Sequence, residues 1–218
     1  MLGGFDLDPT RIIVVCVLLL VAIPVHEASH AAAAYLLGDP TAKRLGRLTL
    51  NPISHMDRTG TVLLLMTAIF GFGIGWGKPV PFNPHNLRMN PRTGSAIVSF
   101  AGPASNFALA AFLAIALRMH AIPYNDLLLQ VVGYTIYMCV VLGVFNLIPL
   151  PPLDGFSVVL GILPFRQAAS WAKLGNYGFG PLMALVLAGW VLPINPLNLI
   201  LGPPVNVILQ MLLPRGLF

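Results

Sequence analysis

Residues 11–37 read RIIVVCVLLLVAIPVHEASHAAAAYLL, and this run decides what kind of protein the chain can form. A helix needs roughly 20 apolar residues to cross the hydrocarbon core of a bilayer, and this run is long enough. It nevertheless carries three ionisable side chains, those of His26, Glu27 and His30. Ionisable groups inside a membrane span are costly and usually functional. The run therefore predicts a membrane helix that contains a functional site.

The composition of the whole chain points to the same environment. Of its 218 residues, 57% are hydrophobic and only 9% are charged, whereas a soluble domain carries about 25% charged residues. So few charges cannot build a water-facing surface, which argues against a soluble domain and predicts a multi-pass protein of the cell membrane, covered by the lipid bilayer. The net charge of +5 comes largely from basic residues between the apolar runs, a position typical of loops near anionic headgroups. Nucleic acid is not expected as a partner, and the basic residues give no clear membrane orientation.

Apolar runs recur along the chain and predict an all-α polytopic membrane protein. The six candidate spans are residues 11–37, 61–76, 95–119, 127–149, 178–193 and 197–213. One stretch between the first two runs differs, because Lys43 to Leu50 roughly alternates and ends at Asn51-Pro52. This pattern predicts a short membrane-associated β segment near residues 41–50. We expect a single domain over residues 1–218, with about six transmembrane helices.

The polar residues of the first run have the spacing of a zinc site. Residues four apart lie on one face of an α-helix, so His26 and His30 can present two imidazoles to one metal ion. Glu27 lies beside them and is the only glutamate in the chain. Zinc hydrolases use this arrangement, with the glutamate as the general base. The alternative is a polar cluster that joins helices by hydrogen bonds, a task usually performed by Ser, Thr or Asn.

A catalytic zinc ion takes three protein ligands, so a third ligand must come from elsewhere. Leu36 occupies the position six residues after His30, which excludes a third histidine there. The remaining candidates are Asp39, Asp57, Asp126, Asp154, His55, His85 and His120, with Asp6 and Asp8 remote. We favour Asp154, which follows a proline-rich break at the end of the fourth run. Because Asp154-Gly155 is also a common turn pair, the residues alone leave both interpretations open.

Two motifs together resemble a known family. His26-Glu-x-x-His30, followed by Asn146-Leu-Ile-Pro-Leu-Pro-Pro-Leu-Asp154-Gly155, resembles the site-2 protease family of intramembrane zinc metalloproteases. The segments Gly46 to Pro52, Gly77 to Pro84 and Ala101 to Asn106 are similar to its compact prokaryotic branch without a PDZ domain. The resemblance covers about residues 20–160, within a predicted catalytic core of about residues 11–160. The spans at about residues 178–213 follow it.

The resemblance implies a ligand set and a reaction. His26, His30 and Asp154 would bind one Zn²⁺ per chain, Glu27 would be the general base, and Asn146 would steady the substrate carbonyl or its oxyanion. The substrate would be a transmembrane protein, cleaved in or near its membrane segment. The β segment would engage that substrate.

Two other functions and one polar residue remain open at this stage. A membrane metal transporter could also use paired histidines, but it should carry ligands on several spans. A non-catalytic membrane binding protein would not need Glu27. Asn106 could hydrogen-bond near the site or only join helices, and we favour the latter. The oligomeric state is not predicted.

Overall fold

The computed structural model describes residues 9–70 and 75–213, and within these residues the chain forms helices, turns and loops. The ten α-helices of this part are α1 Pro9–Leu36, α2 Thr41–Arg44, α3 Pro52–His55, α4 Arg58–Phe70, α5 Pro91–Arg118, α6 Asp126–Asn146, α7 Asp154–Ile162, α8 Phe165–Ala172, α9 Gly180–Val191 and α10 Pro196–Leu212. Two short 3₁₀ helices, Pro84–Asn86 and Lys173–Tyr177, lie in the connections. A π-helical turn, Leu18–Ala22, interrupts the hydrogen-bond pattern of α1 but not its path. The all-helical prediction is thus confirmed for the described residues.

Among the described residues, three helices are long and apolar enough to cross a membrane, and they are α1, α5 and α6. They correspond to the first, third and fourth predicted spans. The second predicted span contributes α4, of 13 residues, and its residues 71–74 lie outside the described part. The last two contribute α9 and α10, of 12 and 17 residues. These helices fall short of the roughly 20 residues that a spanning helix needs, so six spans are not confirmed.

The predicted β segment at residues 41–50 is wrong. Residues Thr41–Arg44 form the short helix α2, and the only bridge in the described residues joins Met56 to Gly77. The backbone N–H of Thr41 donates to the side chain of Asp39, which favours a helical turn. Gly46 then adopts a positive φ of 68° and ends that turn. The Asp39 hydrogen bond and the Gly46 conformation therefore outweigh the alternating pattern.

Helix α5 is central, because it packs against α1, α6 and α7. The largest core cluster lies between α1, α5, α6 and α10, where Ala110, Ile136 and Val140 are fully buried. Side chains on the outer faces are apolar as well, including Phe112 and Ile115 of α5, each more than half exposed. An apolar exterior around an apolar core is what a bilayer requires. The packing brings the C-terminal end of α6 and the start of α7 to the middle of α1.

Candidate metal centre

His26, His30 and Asp154 come together in one cluster, although the histidines are more than 120 residues from the aspartate. Both imidazoles project from the same face of α1 and are buried, and Asp154 is the first residue of α7. Its Oδ2 atom lies 3.0 Å from Nε2 of His26 and 3.3 Å from Nε2 of His30. The candidate ligand atoms of the three residues all lie within 4.8 Å of one another. Two nitrogens and one carboxylate oxygen suit Zn²⁺.

The second nitrogen of each imidazole is also engaged, which fixes the orientation of both rings. Nδ1 of His30 lies 2.7 Å from the carbonyl oxygen of Val98, to which its N–H donates. Nδ1 of His26 lies 3.3 Å from the amide nitrogen of Asn106. The bond to Val98 selects the tautomer of His30 that carries its proton on Nδ1, which leaves Nε2 available to a metal. The donor set and the ring orientations therefore fit a zinc ion.

Asn106 thus contacts the site, and the expectation that it only joins helices is wrong. Its side chain is fully buried, and its Oδ1 atom has no hydrogen-bond partner. A metal-bound His26 carries its proton on Nδ1, and the amide must then present Oδ1 to accept it. A polar residue four positions after Gly102, inside an apolar run, is the sequence signal for this contact.

Gly102 was not singled out from the sequence, yet both imidazoles pack against it. A Cβ atom built on Gly102 would lie 2.5 Å from Cε1 of His30 and 2.7 Å from Cε1 of His26. Atoms at such distances overlap, so only glycine leaves room for the two rings against α5. This close approach explains why a glycine stands in the middle of a long helix, where it costs conformational entropy.

Glu27 lies beside the cluster and faces the same cavity, whose volume is about 510 Å³. One of its carboxylate oxygens, Oε2, accepts a hydrogen bond of 3.1 Å from the backbone N–H of Val80. The cavity is also lined by Asn146, the last residue of α6. The Asn146 amide nitrogen donates to the carbonyl oxygen of Leu142 in its own helix, at 3.0 Å. The remaining walls are mainly apolar, with side chains such as Leu18, Leu64, Met138, Leu142, Phe145 and Leu182.

The other residues considered as a third ligand lie elsewhere. Asp57 caps a turn by accepting a hydrogen bond from the N–H of Gly60. His55 is fully buried, and its Nε2 atom lies 2.7 Å from the carbonyl oxygen of Thr49. The residues that are not part of the three-residue cluster are Asp39, Asp57, Asp126, His55, His85 and His120, while Asp6 and Asp8 are outside the described residues. The structure thus favours Asp154 over its competitors.

Asp39 is fully buried and organises the loop that follows α4. Its carboxylate accepts hydrogen bonds from the hydroxyl of Thr41, the amide side chain of Asn86 and the backbone N–H of Asn83. Burial raises the pKa of Asp39, but these hydrogen bonds outweigh it and hold the pKa below the usual aspartate value. The carboxylate therefore stays ionised and ties residues 83–86 to the end of α1.

Comparison with known proteins identifies relatives that cover most of the chain. The chain is 40% identical over 196 residues to "Putative zinc metalloprotease YwhC" of Bacillus subtilis (strain 168), covering 86% of this chain and 84% of that protein. It is 31% identical over 177 residues to "Putative zinc metalloprotease Rip2" of Mycobacterium tuberculosis (strain ATCC 25618 / H37Rv), covering 78% of this chain and 67% of that protein. No protein-family model matches the chain, and no solved structure matches it.

Proposed function

Because the chain belongs to the site-2 protease-like family of zinc metalloproteases, we propose that it cleaves peptide bonds in or near the transmembrane segments of other membrane proteins. The chain is a zinc metalloprotease by this relationship; the place of cleavage and the roles of single residues are our proposal. The observation that carries it is the position of the His26, His30 and Asp154 cluster. The two histidines lie on a helix long and apolar enough to span a bilayer.

We assign the metal to His26, His30 and Asp154, whose ligand atoms converge on one point. Zinc, when bound there, supplies a Lewis acid that polarises the scissile carbonyl and lowers the pKa of a bound water to about 7. Asn106 and the carbonyl of Val98 hold the two rings so that both Nε2 atoms face inward. The protein thereby prepares the ligands before the metal arrives.

Glu27 is the proposed general base. Its carboxylate lines the cavity next to the ligands, where it can accept the proton of the attacking water and pass it to the leaving amine. Asn146 lines the same cavity and is proposed to donate the second N–H of its amide to the oxyanion, while the first is bonded to the carbonyl of Leu142. A single donor of this kind is worth about 3 kcal/mol in the transition state. Exclusion of bulk water from the apolar cavity would strengthen each of these electrostatic interactions.

The apolar walls of the cavity support a membrane segment as the substrate. A protease for soluble peptides would expose its cleft to water, whereas this cleft lies among Leu18, Met138 and Leu142 on helices with apolar exteriors. Transport is less well supported, because the described residues hold only one cluster of three candidate ligands. We place the protein in the cell membrane as a multi-pass protein, with a catalytic core of about residues 11–160 in a single domain.

The experiment is cleavage by purified protein reconstituted in liposomes with a panel of transmembrane peptides, read by mass spectrometry. Glu27→Gln should retain one zinc per chain and lose cleavage by about 10²- to 10⁴-fold, the usual contribution of a general base. Asp126→Asn removes an exposed carboxylate outside the site and is the matched control. Cleavage of soluble peptides alone would refute intramembrane action. Wild-type rates from Glu27→Gln would refute the role of the base.

A further inference from the structure

Residues 78–83, Lys-Pro-Val-Pro-Phe-Asn, form a non-helical segment that passes over the candidate site, and we call it the strap. Proline carries no backbone N–H, so Pro79 and Pro81 leave Val80 as the single donor between them. That donor points at Glu27, whose Oε2 atom accepts it at 3.1 Å. The Pro79-Val80-Pro81 sequence therefore leaves one backbone N–H, which donates to one carboxylate oxygen of Glu27.

Buried polar side chains fasten both ends of the strap. At its start, the N–H of Lys78 donates to the carbonyl oxygen of His55 at 2.8 Å, and the carbonyl oxygen of Lys78 accepts from Arg47. At its end, the N–H of Asn83 donates to Asp39 at 2.6 Å. Arg47 is 5% exposed and Asp39 is 0% exposed. Neither lines the cavity. Arg47 also interacts electrostatically with Glu27, whereas Asp39 is joined to the site through its hydrogen bond to the strap.

Gly77, immediately before the strap, permits its close approach to α1. A Cβ atom built on Gly77 would lie 2.7 Å from Cγ2 of Ile23 and 3.5 Å from Oε1 of Glu27. The strap thus packs directly on the turn of α1 that carries the glutamate. Within the described residues, no donor is bonded to Oε1, the second carboxylate oxygen, and Glu27 lines the cavity.

We propose that the strap is a positioning element for Glu27, that the Val80 amide holds one carboxylate oxygen so that the other faces the attacking water, and that Asp39 sets the position of Val80. This inference rests on the proposed function of Glu27. A glutamate side chain has three rotatable bonds, and fixing one of its oxygens selects the rotamer in which the base can act. Asp39 and Val80 are positioning residues, because each acts through another group.

The test compares Val80→Pro with Val80→Ala in the liposome assay. Proline removes the N–H, replaces the side chain and fixes φ near about −65°, whereas alanine keeps the N–H and measures the loss of the side chain that lines the cavity. We expect kcat of Val80→Pro to lie about 10- to 100-fold below that of Val80→Ala, the usual effect of losing a hydrogen bond to a charged group. KM should agree within about twofold between the two, and both should hold one zinc per chain.

A changed KM, lost zinc in a folded protein, or equal kcat values for the two Val80 variants would each overturn the positioning role. The wild-type protein serves as the internal check, because its failure to cleave any membrane peptide would refute the proposed function itself. Asp39→Asn tests whether Asp39 holds the end of the strap. The NH2 group of the new amide would face the N–H of Asn83, and two donors cannot form a hydrogen bond with each other. It should lower kcat about tenfold with zinc and KM retained.

A double-mutant cycle decides whether Asp39 acts through Val80. In the Val80→Pro background, Asp39→Asn should reduce kcat by less than about twofold further, because the link is already broken. Fully multiplicative losses would show that Asp39 acts by another route and would overturn its assignment. If Val80→Pro does not fold, Asp39→Asn decides alone: a fall in kcat with unchanged KM and zinc supports the proposal, and any other result refutes it.

Discussion

Replacing Gly102 by alanine should damage the metal site without removing any ligand. The methyl group would lie 2.5 Å from Cε1 of His30 and 2.7 Å from Cε1 of His26. The His26 ring must retreat by roughly 0.7 Å to regain the 3.4 Å of ordinary contact, and the His30 ring by roughly 0.9 Å or more, because its Nε2 atom lies closer still. The hydrogen bonds of both rings to α5 would be strained by the same movement, because Val98 and Asn106 lie on the helix that carries the new methyl group.

The expected size of the effect follows from the tolerance of metal–ligand distances, which is about ±0.2 Å. A retreat several times that tolerance cannot be absorbed by the ligands alone. Loss of outer support for zinc ligands lowers affinity by about 10- to 100-fold, and we expect the upper end here, or about 2.8 kcal/mol at 1.4 kcal/mol per factor of ten. Overpacking will also destabilise the fold by about 1–3 kcal/mol.

The assay is competition for zinc between the detergent-solubilised protein and a chelator of known affinity, with helix content followed by circular dichroism. Two glycines provide controls. Gly161→Ala overpacks the contact between α7 and Ala96 of α5 but does not touch an imidazole, so it should lower stability and spare zinc affinity. Gly202→Ala places a methyl group in open space within α10, so it should spare zinc affinity and raise stability by at most about 1 kcal/mol.

Wild-type zinc affinity in folded Gly102→Ala protein would refute the reasoning, because the rings would then have moved freely. An equal loss of zinc in Gly161→Ala would also refute it, since general destabilisation would explain both results. The informative result is loss of zinc in Gly102→Ala alone.

Two further predictions concern carboxylates. Asp154→Ala removes one of three ligands, so elemental analysis of the purified protein should find fewer than one zinc per chain. The control Asp126→Ala should keep full zinc occupancy. Full occupancy in both variants would reassign the third ligand. The pKa of Asp39 in the folded protein is lower than its pKa in the unfolded protein, which is about 3.9. The ionised carboxylate therefore contributes its full stabilisation above about pH 3.9, and this stabilisation is lost as the pH falls through the folded pKa. The Tm of the wild-type protein should therefore fall as the pH drops below about 4. The Tm of Asp39→Asn should depend less steeply on pH in that range, and identical slopes of Tm against pH would contradict this account.

Helical periodicity accounts for what could be predicted about the site. His26 and His30 are four residues apart on one helix, so their shared face follows from 3.6 residues per turn without any knowledge of the fold. The position of Glu27 beside them follows in the same way. Asp154 could only be favoured, because its approach to the histidines depends on how α5, α6 and α7 pack, and the Asp-Gly turn was an equal alternative.

The β segment predicted from local pattern is wrong because a local hydrogen bond and a glycine set the backbone there, and the six predicted spans are not confirmed. The alternation at residues 41–50 indicated a strand, but Asp39 and Gly46 define a helical turn there. The apolar content of the last two predicted spans was sufficient, yet their helices end after 12 and 17 residues. Hydropathy reports the environment of a segment, whereas the points at which a helix begins and ends depend on capping and on proline positions.

The sequence by itself determined the membrane character, the helical class and the pairing of two imidazoles with one glutamate, because composition and helical spacing are local properties. Only the tertiary structure decided the third member of the cluster, the contacts of Asn106 and Gly102 with the rings, and the hydrogen bond from Val80 to Glu27. These contacts join residues 53 to 128 positions apart. No periodic pattern encodes such pairs, because they arise when separate apolar helices bury their faces against one another.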